Sequence, residues 1–314
     1  MAASADLMRA VRFHDYGDPS VLRVDEVPRP RPKAGEVLVE VRAAGVNPID
    51  WKLRSGNLQA FLPVELPHVP GIELAGTVSE LGPGVTEFSL GDDVFGRGQG
   101  AYAEYAIAPA QSIARKPKVL SFVEAATLPN GGITAWWGLF EIAGLESGQR
   151  LLIHGGAGGV GGLAVQLGRW KGAHVIATTS TANLDFVRSL GADEVVDYSV
   201  SRFDETVGDV DVVLDTVGGD VTDRSWSVLK KGGILVSASG MPQLERAEQH
   251  GVRAAGVRAA PDVRRVLGQL AALVVDGKLK PLVGQRFPLA EVEAAQRVSE
   301  TGHGRGRIIL DVSD

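Results

Sequence analysis

One stretch restricts this chain more than any other: Leu151-Leu152-Ile153-His154-Gly155-Gly156-Ala157-Gly158-Gly159-Val160-Gly161-Gly162. A short apolar run stops at glycines, and apolar periodicity then predicts a helix from Leu163 to Trp170. Gly156, Gly158 and Gly161 make a G-x-G-x-x-G spacing. In that spacing the first glycine allows a tight turn, the second lets backbone approach a pyrophosphate, and the third packs helix against strand. The start of the helix then offers unpaired N–H groups and a positive dipole end to phosphate. Glycine-rich turns alone say little. Here a strand precedes the motif, a helix follows, and a second strand, His174 to Thr178, arrives at βαβ distance. The stretch reads as a dinucleotide site, with Ala157, Gly159 and Val160 completing its loop.

The remaining chain fits around that unit. Its 314 residues are enough for two domains. Residues 8 to about 120 read as mostly β. Val37 to Ala44 alternates, Val69 to Leu81, Asp92 to Phe95 and Ala101 to Ala108 continue the pattern, and turns such as Gly82-Pro83-Gly84 break it. Met8 opens the first strand, with the first seven residues read as an extension. From Ser121 the spacing turns helical, over Phe122 to Leu128 and Ile133 to Ala143, with Pro129-Asn130-Gly131-Gly132 as separator. Beyond the glycine motif, strands at Glu194–Asp197, Val210–Leu214 and Gly233–Ser237 alternate with helices at Leu184–Leu190 and Thr222–Leu229. That alternation predicts a doubly wound parallel sheet with ligands at the carboxyl ends of its strands. Val217, Ser239 and Gly240 fall at those ends, as ligand contacts or as plain turn residues. A last strand is expected over Val252 to Val257, a helix over Val263 to Val275, strands over Leu279 to Phe287 and Arg307 to Val312, and a helix over Leu289 to Ser299.

An NAD-selective site carries an acid after the second strand, bonded to the ribose 2′-hydroxyl. No acid lies between Gly156 and Asp185. Thr179, Ser180 and Thr181 would leave room for a 2′-phosphate, which favours NADPH. The turn itself has no Arg or Lys, and Arg188 lies one helical turn on. The plainer alternative is that Ser180 and Thr181 cap the following helix. Asn47 and Asp50 can face a cleft or form a turn before a short helix. Thr134 can reach a ligand or bond backbone. A net charge of −6 without a basic patch argues against nucleic acid. The absence of cysteine removes disulfides, thiolate zinc sites and a cysteine nucleophile, and is compatible with a cytoplasmic protein. No apolar run approaches membrane-spanning length.

The ordered motifs Ala43-Ala44-Gly45-Val46-Asn47-Pro48-Ile49-Asp50, Val69-Pro70-Gly71-Ile72-Glu73-Leu74-Ala75-Gly76, Leu128-Pro129 with Thr134-Ala135, His154 to Gly161, Leu190-Gly191-Ala192-Asp193, Asp215-Thr216-Val217-Gly218 and Gly302-His303-Gly304 carry a resemblance. The chain resembles, from about Met8 to its end, the zinc-free quinone oxidoreductase (zeta-crystallin-like) branch of the medium-chain dehydrogenase/reductase superfamily. The resemblance implies a GroES-like β domain over residues 1–120 to which the tail, 260–314, returns. A Rossmann domain over 121–259 follows from it, with the active-site cleft between the two. Zinc-dependent relatives place a cysteine ligand in the loop held here by Gly45 to Asp50, and a histidine at the position of Ile72 beside Glu73.

Without zinc no Lewis acid polarises an alcohol or simple ketone. The expected reaction is NADPH-dependent hydride transfer to a small electrophile, a quinone or a carbonyl conjugated to C=C. The resemblance places Asn47 and Thr134 at the nicotinamide end. The proton comes from water or a donor the sequence does not define; Asp50 and Tyr102 are candidates by likeness of segment only. An Asp at its ordinary pKa is ionised at neutral pH, so positioning is the role expected of Asp50. Two readings compete: an alkenal or enoyl-thioester reductase of the same fold, with Asn57 to Pro67 shaping its pocket, and a non-catalytic NADPH-binding redox sensor. The family pairs Rossmann domains edge to edge, so a homodimer through Gly233–Ser239 and Val252–Val257 is expected.

Overall fold

A computed structural model describes residues 6–257 and 262–313; the expected domain limit at 259/260 lies outside them. The chain forms two compact units: Met1–Asn130 with Asp262–Val275 and Val283–Asp314, and Gly131–Pro261 with Asp276–Leu282.

The second unit is built on a six-stranded, all-parallel sheet. Its strands lie in the order Glu194–Asp197, His174–Thr179, Arg150–His154, Val210–Asp215, Leu229–Ser237, Arg253–Gly256. The central strands carry apolar runs, Leu151–Ile153, Val212–Leu214 and Ile234–Val236, because both of their faces are covered. Leu152, Ile176, Val213 and Leu235 pack there with Phe203 and Trp226. Counted along the chain, the order is third, second, first, fourth, fifth, sixth. It therefore reverses between Arg150–His154 and Val210–Asp215, and the carboxyl ends of those two strands form the place where open α/β sheets take ligands. The helix Gly161–Lys171 leaves from that point. It ends at Gly172, whose φ of +87° supplies the left-handed cap.

The first unit holds a seven-stranded sheet organised on Glu36–Val46, which pairs antiparallel with Glu73–Leu81, Tyr105–Pro109 and Arg307–Asp311. Leu7–Phe13 and Leu22–Pro28 form a separate antiparallel pair. The inward residues Val37, Val39, Val41, Leu74, Val94 and Leu310 share one core. Strand Arg307–Asp311 runs beside Ala43–Val46, which sets Arg307 next to the turn at Asn47. Helix Val292–Glu300 packs near the short helix Pro48–Arg54, where the buried Arg54 guanidinium bonds Gln296 and Glu300.

The expected break at residue 120 falls ten residues before the observed division. Helix Phe122–Ala125, closed by a Ser121–Glu124 capping box, packs on Glu36–Val46 and Glu73–Leu81 and so stays with the β unit. Several local expectations are corrected too. Pro129-Asn130-Gly131-Gly132 does not separate helices, because Pro129 opens the helix Pro129–Trp136, as a residue without N–H can at a first turn. The helix expected to reach Leu229 stops at Ser225, and Leu229 already begins a strand. Val69 to Ile72 is not strand, and Ala101 to Glu104 contributes only an isolated bridge at Ala103. Gly233–Ser237 is an inner strand with neighbours on both sides, so of the two expected edge segments only the Arg253–Gly256 strand lies at an edge.

Candidate active site

In the parallel-sheet unit the glycine loop is shaped by close backbone contact. A Cβ on Gly161 would sit 2.1 Å from the Gly155 carbonyl oxygen, and one on Gly156 would sit 2.9 Å from the Ala177 methyl. Gly155 itself has φ +72°, a conformation that favours glycine. A Cβ on Gly158 would meet nothing closer than 3.4 Å, so its outer side is open. That is a cradle for a pyrophosphate: two glycines let the loop fold tightly onto helix and strand, and the third leaves room for a ligand. Ala157, Gly159 and Val160 complete the loop before the helix. The residues fit a dinucleotide.

Buried polar side chains brace the loop from beneath. Ser225 Oγ donates to the Val221 carbonyl at 2.6 Å, so His154 Nε2 must donate to Ser225 Oγ at 2.9 Å. His154 Nδ1 then accepts from Thr178 Oγ1 at 3.2 Å, and Thr178 Oγ1 accepts from the Gly155 N–H at 3.4 Å. The proton count fixes one neutral tautomer along the chain. Burial pushes the His154 imidazole down to about 4, only partly opposed by Asp215. Asp215 is fully buried and accepts from the N–H groups of Val217 and Gly218, both at 2.9 Å, and from the Thr222 hydroxyl. It locks the turn after the fourth strand. A histidine beside an apolar strand is expected to be packed and hydrogen-bonded rather than a ligand, and His154 is so, whereas Asp215 entered the sequence reading only as a letter of the Asp215-Thr216-Val217-Gly218 motif. The usable signal was that each polar residue closes an apolar strand, His154 directly before Gly155 and Asp215 three residues before Gly218.

The structure gathers Val217, Ser239 and Gly240 around one open cavity of about 300 Å³, with Thr222 and Trp226 also lining it. Thr179 is buried at the end of the second strand, on the other side of the reversal point. Ser180 follows it, and its Oγ accepts from Asn183 Nδ2 at 3.2 Å. Arg188 is engaged by Asp185 at 2.9 Å. Thr134 lies half-buried within the helix Pro129–Trp136.

The β unit holds a second polar group. Asn47, Asp50, Glu73 and Tyr102 are all fully buried, and Arg307 nearly so. Asn47 Oδ1 accepts from Arg307 Nη2 and from Asn130 Nδ2, each at 2.6 Å, and Asn47 Nδ2 donates to Glu73 Oε1 at 3.0 Å. Arg307 also pairs with Glu73, whose other oxygen accepts the Asn130 N–H at 2.7 Å. Asp50 Oδ2 accepts from the Asn47 N–H and the Tyr102 hydroxyl, both at 2.8 Å. Gly45 is needed here, because a Cβ would lie 2.0 Å from Glu73 Oε1. Burial drives the Asp50 carboxyl up to about 6 and the Tyr102 hydroxyl well above its usual range. It pulls Arg307 down to about 10, which leaves the guanidinium charged at neutral pH. Asn47 and Asp50 are thus brought together, inside a network that occupies the whole Asn47 amide. Sequence reasoning missed Arg307 and Asn130, the first in an apolar terminal strand and the second in a presumed loop. The Asn57 to Pro67 loop is exposed, with Phe61 86% accessible.

Two outcomes follow from these networks. Arg307→Met leaves the buried Glu73 carboxylate unpaired and should lower stability by about 3–5 kcal/mol, with much of the loss recovered in Glu73→Gln/Arg307→Met; urea denaturation measures both. His154 binds its proton more weakly folded than unfolded. Its contribution, about 3 kcal/mol, is therefore present above pH 6.5 and drains away as pH falls toward 4. Urea midpoints between pH 7 and 4.5 should fall more steeply in wild type than in His154→Gln, and parallel curves would refute the assignment.

Comparison with known proteins agrees with this geometry. Residues 33–118 match the family of alcohol dehydrogenase GroES-like domains, and residues 190–310 match the family described as zinc-binding dehydrogenases. A chloroplastic quinone oxidoreductase of Triphysaria versicolor is 34% identical over 97% of this chain and 98% of its own length. A chloroplastic NADPH-dependent alkenal/one oxidoreductase of Arabidopsis thaliana is 34% identical over 96% of this chain and 79% of its own. The solved quinone oxidoreductase of Coxiella burnetii is 37% identical and superposes with a TM-score of 0.90 over 98% of this chain and 100% of its own. With a GroES-like β unit, a Rossmann unit and relatives matched nearly end to end, the chain belongs to the zinc-free quinone oxidoreductase branch of the medium-chain dehydrogenase/reductase superfamily.

Proposed function

We propose that this oxidoreductase uses NADPH to reduce a small electron-poor acceptor, a quinone or an enone. The observation that carries the reading is the glycine cradle at the point of strand reversal, where Gly158 leaves open the space that Gly155 and Gly161 deny to side chains. When bound, the reduced nicotinamide supplies a hydride.

The chain's own residues do the rest. Gly156 to Gly161 seat the pyrophosphate against the helix start. Thr179 and Ser180 form the adenosine end, where short side chains leave room for a 2′-phosphate. Val217, Ser239 and Gly240 line the cavity for the nicotinamide half, and Asp215 keeps the Val217–Gly218 turn in shape. The Thr134 hydroxyl orients the nicotinamide end, as the family resemblance implies. Asn47 and Asp50 act as positioning groups: Asn47 ties Arg307 to Asn130, and Asp50 fixes the Tyr102 hydroxyl. With burial raising it to about 6, Asp50 is also able to exchange a proton in mildly acidic solution, which an ordinary aspartate does not do.

The donor set argues for zinc independence. Ile72 and the cysteine-free loop Gly45 to Asp50 stand where, by the resemblance, zinc-dependent relatives hold metal ligands, and Glu73 is already neutralised by the Arg307 guanidinium. No step is therefore routed through a metal, and the acceptor must be electrophilic on its own. The similarity to an alkenal/one oxidoreductase supports the enone as the second acceptor class. No helix among the described residues is long and apolar enough to cross a membrane. The cysteine-free sequence needs no oxidising compartment, which supports a cytoplasmic setting. The edge strand Arg253–Gly256 offers unpaired backbone groups, and pairing it with a second copy would continue the sheet into a homodimer.

Purified protein should oxidise NADPH faster than NADH with 1,4-naphthoquinone as acceptor, followed as loss of absorbance at the nicotinamide band. Turnover with an alkenal alone would make the enone the acceptor class. Tight NADPH binding without turnover on either would defeat the enzymatic reading. Sedimentation should give the mass of two chains, and a monomer at working concentration would remove the edge-strand dimer.

A further inference from the structure

A carboxylate stands at the rim of the dinucleotide cradle. Asp197 ends the strand Glu194–Asp197 and sits opposite Thr179 in the parallel ladder. It therefore lies beside the Ser180–Thr181 turn, one strand over from the place where an NAD-selective site keeps its acid. Asp197 Oδ2 accepts from Thr181 Oγ1 at 2.6 Å, and Oδ1 accepts from the Ser199 N–H at 2.9 Å. Both bonds favour the charged form and hold the carboxyl below the usual carboxylate range. Among the described residues no ion pair neutralises it, and Arg188, the nearest cation along the turn and its helix, is engaged by Asp185. The Thr181 hydroxyl, which could have served a phosphate, is donated to Asp197 instead.

A 2′-phosphate brings close to two negative charges, whereas a 2′-hydroxyl brings none and can donate to a carboxylate. From this placement we infer that Asp197 is a specificity-determining residue: its charge opposes the 2′-phosphate and narrows the preference for NADPH, so that NADH remains a usable cofactor. The inference rests on the dinucleotide reading above and adds to it a residue that acts against that preference. Ser180 and Thr179 give a 2′-phosphate space, and Asp197 makes that space electrostatically unwelcoming. Selectivity is then the difference between a steric allowance and a repulsion.

Asp197→Asn removes the charge while keeping partners for Thr181 and Ser199, because the amide oxygen can take the Ser199 N–H and the amide nitrogen can face Thr181 Oγ1. The probes are 2′,5′-ADP and 5′-AMP, titrated calorimetrically into wild type, Asp197→Asn and Glu146→Gln, with NADPH and NADH in parallel. Glu146 is exposed in the turn before the Arg150–His154 strand, at the opposite end of the sheet, and controls for net charge. Asp197→Asn should bind 2′,5′-ADP about fivefold tighter at low salt and 5′-AMP within about twofold of wild type, with the gain fading in 0.5 M salt. The NADPH/NADH affinity ratio should rise in step, and Glu146→Gln should leave it alone. An unchanged ratio in Asp197→Asn, or an equal rise in Glu146→Gln, overturns the inference while leaving the dinucleotide site standing. A wild-type protein that binds none of the four ligands would instead remove the dinucleotide reading, and this inference with it.

Discussion

The β unit depends on one buried ion pair. Glu73 and Arg307 come from strands on either side of Glu36–Val46, and each would be costly to bury alone. Their mutual attraction covers only part of the desolvation. The rest comes from hydrogen bonds: Asn47 Nδ2 and the Asn130 N–H donate to the two Glu73 oxygens, and Asn47 Oδ1 accepts from the guanidinium. The backbone has adapted to the pair as well, since Gly45 has no side chain because Glu73 passes through the space one would fill. Such a network gives little net stability over an apolar core of the same shape. What it gives is orientation, because its members fit only one arrangement.

The Rossmann unit solves a related problem with different chemistry. Its loop must be tight enough to bring backbone to a phosphate and still stay in place. Packing supplies the tightness, through contacts that exclude any side chain at Gly161. Hydrogen bonds supply the placement, through the neutral row Thr178, His154 and Ser225 and through the Asp215 carboxyl. A charged imidazole in that row would break the sequence of donors and acceptors, so the same burial that depresses its basicity keeps the row intact.

Much of this was legible in the sequence. The βαβ unit, the helix Val263–Val275 and the alternating strand Val37 to Ala44 all follow from periodicity, because their apolar spacing mirrors their burial. Motif order gave the family. Less legible was anything that depends on pairing across long separations. Arg307 reads as the polar start of an apolar strand until Asn47 is seen beside it, and Asn130 reads as a turn residue until its N–H is seen on Glu73. Leu229 was misread because an apolar residue after a short helix continues the helical pattern as well as it opens a strand. Spacing left Asn47 and Asp50 open between a cleft and a turn before a short helix; the helix Pro48–Arg54 does follow, and spacing could not reveal how completely their neighbours engage them.

The return of the tail to the β unit has a consequence for how the chain is made. Glu73 waits 234 residues for the guanidinium that neutralises it. On the ribosome the parallel sheet of the second unit has all its strands by Gly256, whereas the β unit, begun before it, still lacks Arg307–Asp311 at that point. The unit translated first is thus the one finished last. Through that interval a strand flank and a carboxylate meant for burial stay solvated, the condition under which a nascent chain relies on chaperones.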